Sequence, residues 1–372
     1  MASISDDAQW QSLYEDMTAD EAARYLAEKP EITRSFGETL RRMRPGVNIV
    51  ATLRSFYLEL DPALKPRSLT KKLQNWMADR NPPTCREELF RCAFALSLSE
   101  EQLDYLLGIT DGYGIQYRDG YEVVLAWFLR TGRTYAEACD FFATLPTYEP
   151  VEAFESAEDS AVTRVVQDSF QKVRTTDELR RVFESNIGNF GTQHVRAYHY
   201  FENYLERLIQ PASSKLLPQE RRYSIKTVMD TYLELKMPYT RNRTKLTPVQ
   251  RLIKQNWPNE TAIKDIRIHN SDVPRKLLML LYVVTENEGF DEPYLDDATD
   301  TFNDRVYDHW LILNAMLVDC GMAQLDVRNA FDWLVLYALA AQGEEAMSER
   351  MEAVISELYG HDVPDDECWQ EP

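Results

Sequence analysis

The sequence predicts an all-α fold, with a compact N-terminal helical region followed by a larger α-helical bundle. Apolar residues recur at three- and four-residue spacing in nearly every segment, and no strand-like alternation persists. Glycine is scarce at 13 of 372 residues, which disfavours a turn-rich β architecture. A hydrophobic fraction of 44% supplies real cores, and a charged fraction of 27% is ordinary for globular chains.

Taken in order, residues 8–28 read as an acidic helix with Trp10, Leu13, Tyr14 and Met17 along one side. Within it Thr18 heads a short helix, and Glu21 is its capping-box partner. Phe36–Arg44 is a short basic helix stopped by Pro45 and Gly46. Asn48 caps the next helix, where Ile49, Leu53, Phe56, Tyr57 and Leu60 keep the helical period. Ser68 is the expected cap of a helix reaching about Ala78, with Leu69, Leu73, Trp76 and Met77 inward. Asn81, Pro82 and Pro83 break it. Thr84 is then expected to cap a helix whose Leu89, Phe90, Ala93, Phe94 and Leu96 face a core, with Glu87 completing the box. A helix over Glu100–Leu107 and two more near 121–131 and 134–144 follow.

Two prolines and a run of acid without period mark a boundary. The expected division is acidic N-terminal helices over 1–35, a helical domain over 36–145 and a linker over 146–160. A helical bundle over 161–360 and a polar tail over 361–372 complete it. Helices are expected in the bundle at 161–174, 176–186, 192–209, 224–236, 247–256, 273–287, 298–320, 327–340 and 344–359. No internal repeat of fixed period is visible.

The first twenty residues are acidic and lack the apolar core of a signal peptide. The longest apolar run, Leu277–Val284, is far short of the ~20 residues of a membrane helix. A soluble cytoplasmic protein is the expectation. Five scattered cysteines (Cys85, Cys92, Cys139, Cys320, Cys368) form no CxxC pair and suit free thiols. Cys85 and Cys92 are expected on the apolar side of one helix.

The net charge of −20 argues against coating nucleic acid by bulk electrostatics. Between Arg41 and Arg91, however, eleven basic residues face five acidic ones, so this stretch is +6 and the remainder −26. The stretch also carries a family pattern. Leu73 to Pro83 (LQNWMADRNPP) and Glu88 to Leu103 (ELFRCAFALSLSEEQL), with Phe36 to Arg42 (FGETLRR) as opening helix, resemble the helix-turn-helix domain of the Xre or lambda-repressor type. The resemblance spans about 36–108. It departs from the family in lacking a glycine after Trp76 and in a longer distance from Phe36 to Trp76.

The apolar face of helix 68–78 leaves Thr70, Lys71, Lys72, Gln74 and Asn75 outward. Lysine binds phosphate or guanine, and glutamine and asparagine bind adenine in a major groove. Arg67 at the helix entry and Arg80 past its end suit flanking phosphates. A second stretch without acid holds Arg241, Arg243, Lys245, Arg251 and Lys254 beside Tyr239 and Trp257. It is read either as a single-strand grip or, more simply, as a solvated loop and the polar face of a helix started by Pro248.

Asp296, Asp297 and Asp300 have the DDxxD spacing of prenyl and terpene synthases, but little chain remains for the second metal motif of those enzymes. An acidic loop and first helical turn is the reading, without metal. The histidines (His194, His199, His269, His309, His361) include no i,i+4 ligand pair. No GxSxG, P-loop or GxGxxG occurs, so neither catalytic residues nor a cofactor are expected. The function expected is a helix-turn-helix regulator that binds double-stranded DNA and whose second half dimerises or senses a signal. The alternative is a non-enzymatic adaptor or inhibitor, of mobile-element or defence type, that reuses the fold to bind protein.

Overall fold

The computed structural model describes residues 17–28, 36–83, 85–111, 114–148, 160–191, 195–211, 222–238, 246–286, 302–341 and 345–360. These residues form eighteen α-helices and no strand, so the chain is all-α. No helix among them is long and apolar enough to cross a membrane.

Buried side chains gather in two clusters. The first runs from Phe36 to Phe190 and is built by α2 (Phe36–Met43), α3 (Ile49–Leu60), α4 (Pro66–Met77), α5 (Arg86–Ala95) and α6 (Glu100–Asp111). It continues through α7 (Gly120–Arg130), α8 (Tyr135–Ala143), α9 (Ser160–Gln171) and α10 (Thr176–Ser185). The second joins α1 (Ala19–Glu28) to the helices after residue 195. These are α11 (Val195–Ile209), α12 (Ile225–Val228), α13 (Pro248–Lys254), α14 (Glu260–Arg267), α15 (Arg275–Thr285), α16 (Phe302–Asp319), α17 (Ala330–Leu339) and α18 (Met347–Gly360).

Residues 149–159 of the expected linker lie outside the described residues, and the clusters divide further on, between Phe190 and Ala197. Helix α7 explains why. Its sequence is apolar all round, so it demands cover on every side, and nearly all of it is buried. Helices α9 and α10 supply that cover with Val166, Phe170, Leu179 and Phe183. Trp127 Nε1 donates to the carbonyl of Val173 at 3.2 Å, and Arg130 Nη2 to that of Phe170 at 2.7 Å. Helix α1 likewise leaves its sequence neighbours and packs on α18 and α17, with Tyr25 stacked on Trp333 at 5.1 Å. Its reciprocal Thr18–Glu21 capping box is present.

Other starts differ from expectation for local reasons. Helix α4 begins at Pro66, not at Ser68, because proline at the first position needs no amide partner and presets φ. Thr84 lies outside the described residues, and α5 begins after Cys85. Cys85 is therefore exposed while Cys92 is buried, so the two do not share the apolar side. The 224–236 segment is helical only to Val228, then opens into a π-helical turn over Met229–Leu233. Helix α14 was not expected at all. Only Ile263 and Ile266 mark its buried face, and its start is the Asn259 cap, which accepts from the Ala262 amide at 3.0 Å.

The two clusters contain the same polar arrangement twice, and its contacts from Asp104 to Glu122 recur at one constant spacing along the chain. Asp104 accepts from the Ile115 amide and Asn314 from the Leu325 amide, both at 2.8 Å. The Gln116 amide donates to Glu122, and the Asp326 amide to Asp332, both at 2.9 Å. Asp119 caps α7 through the amides of Tyr121 and Glu122, and Asn329 caps α17 through those of Phe331 and Asp332. Each carboxylate then meets an arginine at the first position of a preceding helix. Arg86 grips Glu122 at 2.6 and 2.8 Å, and Arg275 grips Asp332 at 2.7 and 2.8 Å. Upstream, α4 and α14 end alike, with Asp79 and His269 at φ 53° and 61°. The next amides, of Arg80 and Asn270, reach back to Asn75 and Asp265. A fold unit running from α4 to α8 thus recurs from α14 to α18. The sequence hides this repeat because hydrogen-bonding roles are kept while side chains change, aspartate to asparagine and glutamate to aspartate.

Helix α2 closes on the C-terminal end of α4 through Gly37. A Cβ at that position would lie 2.5 Å from the Met77 carbonyl oxygen. The Gly37 amide donates to Asp79 Oδ1 at 3.0 Å, and Arg41 Nη2 donates to the same Met77 carbonyl at 2.7 Å. Gly37→Ala is expected to destabilise the chain by about 1–3 kcal/mol, since the obstacle is backbone and cannot rotate away. Urea unfolding measures this, and an unchanged midpoint would mean that α2 moves freely off α4.

Candidate nucleic-acid interface

Helix α4 buries Leu69, Leu73, Trp76 and Met77, as its pattern requires. Burial of that stripe turns the opposite one to solvent. Arg67, Lys71 and Gln74 recur there at four and three residues, and all three are exposed. Thr70 and Asn75 are half-buried at the margins, and the Thr70 hydroxyl donates back to the Pro66 carbonyl at 2.9 Å. Arg80 is exposed just beyond the helix end. No acidic residue lies on the helix itself, so the outward face is cationic from Arg67 to Lys71.

Lys72 is different. Its ammonium lies 2.8 Å from Glu88 Oε1 and 4.8 Å above the Trp76 ring. The other oxygen of Glu88 accepts from the Tyr57 hydroxyl at 2.7 Å. Burial, foremost, with Glu88 as an added cause, pushes the Tyr57 phenol far above its ordinary range. Lys72 therefore faces the flank of α4, where an open cleft of about 580 Å³ is lined by Lys65, Leu69, Lys72, Glu87, Arg91 and Tyr135, among others. In that cleft Glu87 accepts from Arg91 at 2.7 Å and from Tyr135 at 2.8 Å, and the Tyr121 and Tyr135 hydroxyls are 3.1 Å apart. The Glu87–Arg91 pair is legible from its i,i+4 spacing. The tyrosines, more than thirty residues away, had no local signal.

The second basic stretch is only partly described, because Arg241, Arg243 and Lys245 lie outside the described residues. Arg251 and Lys254 sit on α13, which Pro248 starts with a Thr247–Gln250 capping box. Both are half-buried, and Lys254 Nζ donates to the Pro238 carbonyl. Those two thus belong to the face of a packed helix. Asp296, Asp297 and Asp300 also lie outside the described residues, as do His194 and His361. Among the described residues no His, Cys, Asp and Glu group could hold a metal ion. His309 is buried and shares a 2.7 Å hydrogen bond with the Tyr282 hydroxyl, a core contact.

Compared with protein-family models, curated proteins and solved structures, the chain matches none of them.

Proposed function

We propose that the chain is a helix-turn-helix DNA-binding regulator in which α4 enters the major groove and the helices after residue 195 join chains or receive a signal. The observation that carries this reading is the outward stripe of α4. Cations and an amide stand on a rigid helix, with an apolar face locked beneath them and no acid among them. Arg67 and Lys71 serve phosphates or guanine, and Gln74 serves adenine. Lys72 contributes less than its position suggests, because it already neutralises Glu88.

Fluorescence anisotropy with a pool of random duplexes tests this. Binding is expected at low salt and should fall steeply as salt rises. Arg67→Glu with Lys71→Glu should abolish it, while Lys72→Ala should weaken it only several-fold. All three side chains are exposed, so circular dichroism should not change. No binding of any duplex at low salt by the folded protein would sink the reading. The remaining −26 of charge would then favour an adaptor or inhibitor that uses its acidic surface on a basic protein.

A further inference from the structure

The cleft beside α4 has a counterpart in the second unit, and the two differ in what fills them. Glu87 and Lys276 each follow the arginine that grips the carboxylate, and Tyr121 and Phe331 each hold the second position of α7 and α17. In the second unit the helix before α14, α13, closes on this place. Its Leu252 and Ile253 carbonyls accept from the Lys276 ammonium at 3.3 and 2.8 Å, and that ammonium lies 4.6 Å from the centre of the Phe331 ring. The space left there is about 70 Å³. In the first unit the end of α3 forms one wall, and the space between it and α5 stays open at about 580 Å³. The second unit thus draws an occupant from its own chain, and that occupant presents oxygen atoms to an ammonium.

The polar atoms of the open cleft are fixed in place. Tyr57 and Tyr135 are buried. Glu87 accepts from Arg91 and Tyr135, and Glu88 accepts from Lys72 and Tyr57, so each acid already has two donors. The remaining acid, Asp61, turns Oδ1 to the Ala63 amide of its own turn at 2.9 Å. Spare capacity lies with the donors. Lys72 gives one hydrogen to Glu88 and keeps two, and Lys65 has no ion-pair partner among the described residues. These two lysines are seven residues apart, so they stand on one side of α4, two turns from each other. Leu64, Leu69 and the Tyr121 ring add apolar wall between them and α7.

We infer that this cleft binds a small aromatic acid, with its carboxylate between Lys65 and Lys72 and its ring on Leu64, Leu69 and Tyr121. Surplus donors select an oxyanion over an amine, as the oxygens that reach Lys276 do in the second unit. The apolar wall selects a ring over a bare anion, and the volume lies within the range of small-molecule sites. The acid would draw Lys72 away from Glu88, and so act on the flank of α4. The inference concerns the first unit alone, and it stands whether or not α4 meets DNA.

Isothermal titration calorimetry of the full chain, without DNA and at low salt, decides it. The probes are 3-phenylpropionate, indole-3-acetate and 4-hydroxybenzoate, with 3-phenylpropylamine and inorganic phosphate as controls for charge and ring. At least one acid is expected to bind with Kd near or below about 1 mM, and both controls at least about tenfold more weakly. Lys65→Ala and Lys72→Ala should each weaken the acid about tenfold. Ser68→Trp should block it by filling the cleft. Arg54→Ala, which removes an exposed cation of α3 outside the cleft, should change it less than about twofold. Circular dichroism should not change, since Arg54, Lys65 and Ser68 are exposed and Lys72 is half-exposed. The inference is overturned if none of the acids binds below about 10 mM, or if either control binds as tightly as 3-phenylpropionate. It is equally overturned if either lysine variant or Ser68→Trp binds like the wild type, or if Arg54→Ala weakens binding as much as they do.

Discussion

Asp332→Ala is expected to lower stability by about 3–5 kcal/mol, a large part of the 5–15 kcal/mol that holds an ordinary chain folded. The side chains of Arg275 and Asp332 are only 6% and 3% exposed, so the guanidinium left behind would be charged, buried and without its counter-ion. More than the pair is at stake. Arg275 also donates to the carbonyls of Ala323 and Gln324, and Asp332 accepts from the Asp326 amide. The pair thus ties α15, α17 and the turn between α16 and α17 into one arrangement. Glu122→Ala should cost less, because Arg86 is 17% exposed and regains some water. The informative control is Arg275→Met with Asp332→Leu. Removing both charges leaves no buried ion unpaired, only the Ala323 and Gln324 carbonyls and the Asp326 amide, and should recover part of the loss. A cost below about 1 kcal/mol for Asp332→Ala in urea unfolding would show that water reaches Arg275.

A steep alkaline collapse is the second large effect. Tyr57, Tyr135, Tyr204, Tyr282 and Tyr359 are all buried. Burial is the main cause that raises each phenol, Tyr135 to about 12 and the others further. In the unfolded chain these groups ionise near pH 10, while in the folded chain they keep their protons. The folded-state values are raised, so the stability they contribute is intact below pH 10 and is lost as pH climbs beyond it. Each group removes about 1.4 kcal/mol per pH unit, and five together remove roughly 7. Unfolding is therefore expected by about pH 12, with tyrosinate absorbance and loss of helical circular dichroism appearing together.

Lys276 acts in the opposite sense at lower pH. Burial pushes its ammonium down to about 7, against the pull of the Leu252, Ile253 and Gln255 carbonyls that accept its hydrogens. The unfolded lysine holds its proton to about 10.4, so this group makes stability rise between those values. The optimum should thus be weakly alkaline. Titration of all twenty phenols near pH 10 with helices intact would rule out the tyrosine account.

Much of the fold was legible because its signals are local. The stripe of Leu69, Leu73, Trp76 and Met77 and the Thr18–Glu21 and Thr247–Gln250 boxes lie within one or two turns of helix, where side-chain spacing alone determines who meets whom. The outward face of α4 was legible for the same reason. The engagement of Lys72 was not, since Glu88 reaches it from the next helix across a proline-rich break. The cleft beside α4 was equally hidden, because Tyr121 and Tyr135 arrive from α7 and α8.

The sequence by itself determined that the chain is helical, where most helices begin and end, and which side of α4 is cationic. Each of these follows from a 3.6-residue period and from caps that act over three or four residues. Tertiary structure decided where the cores divide, that one α4–α8 unit recurs as α14–α18, and that the first unit keeps open a cleft that α13 fills in the second. Those are contacts between residues far apart in the chain. They depend on which buried arginine finds which carboxylate once the apolar faces have closed, and a one-dimensional pattern carries no record of that pairing.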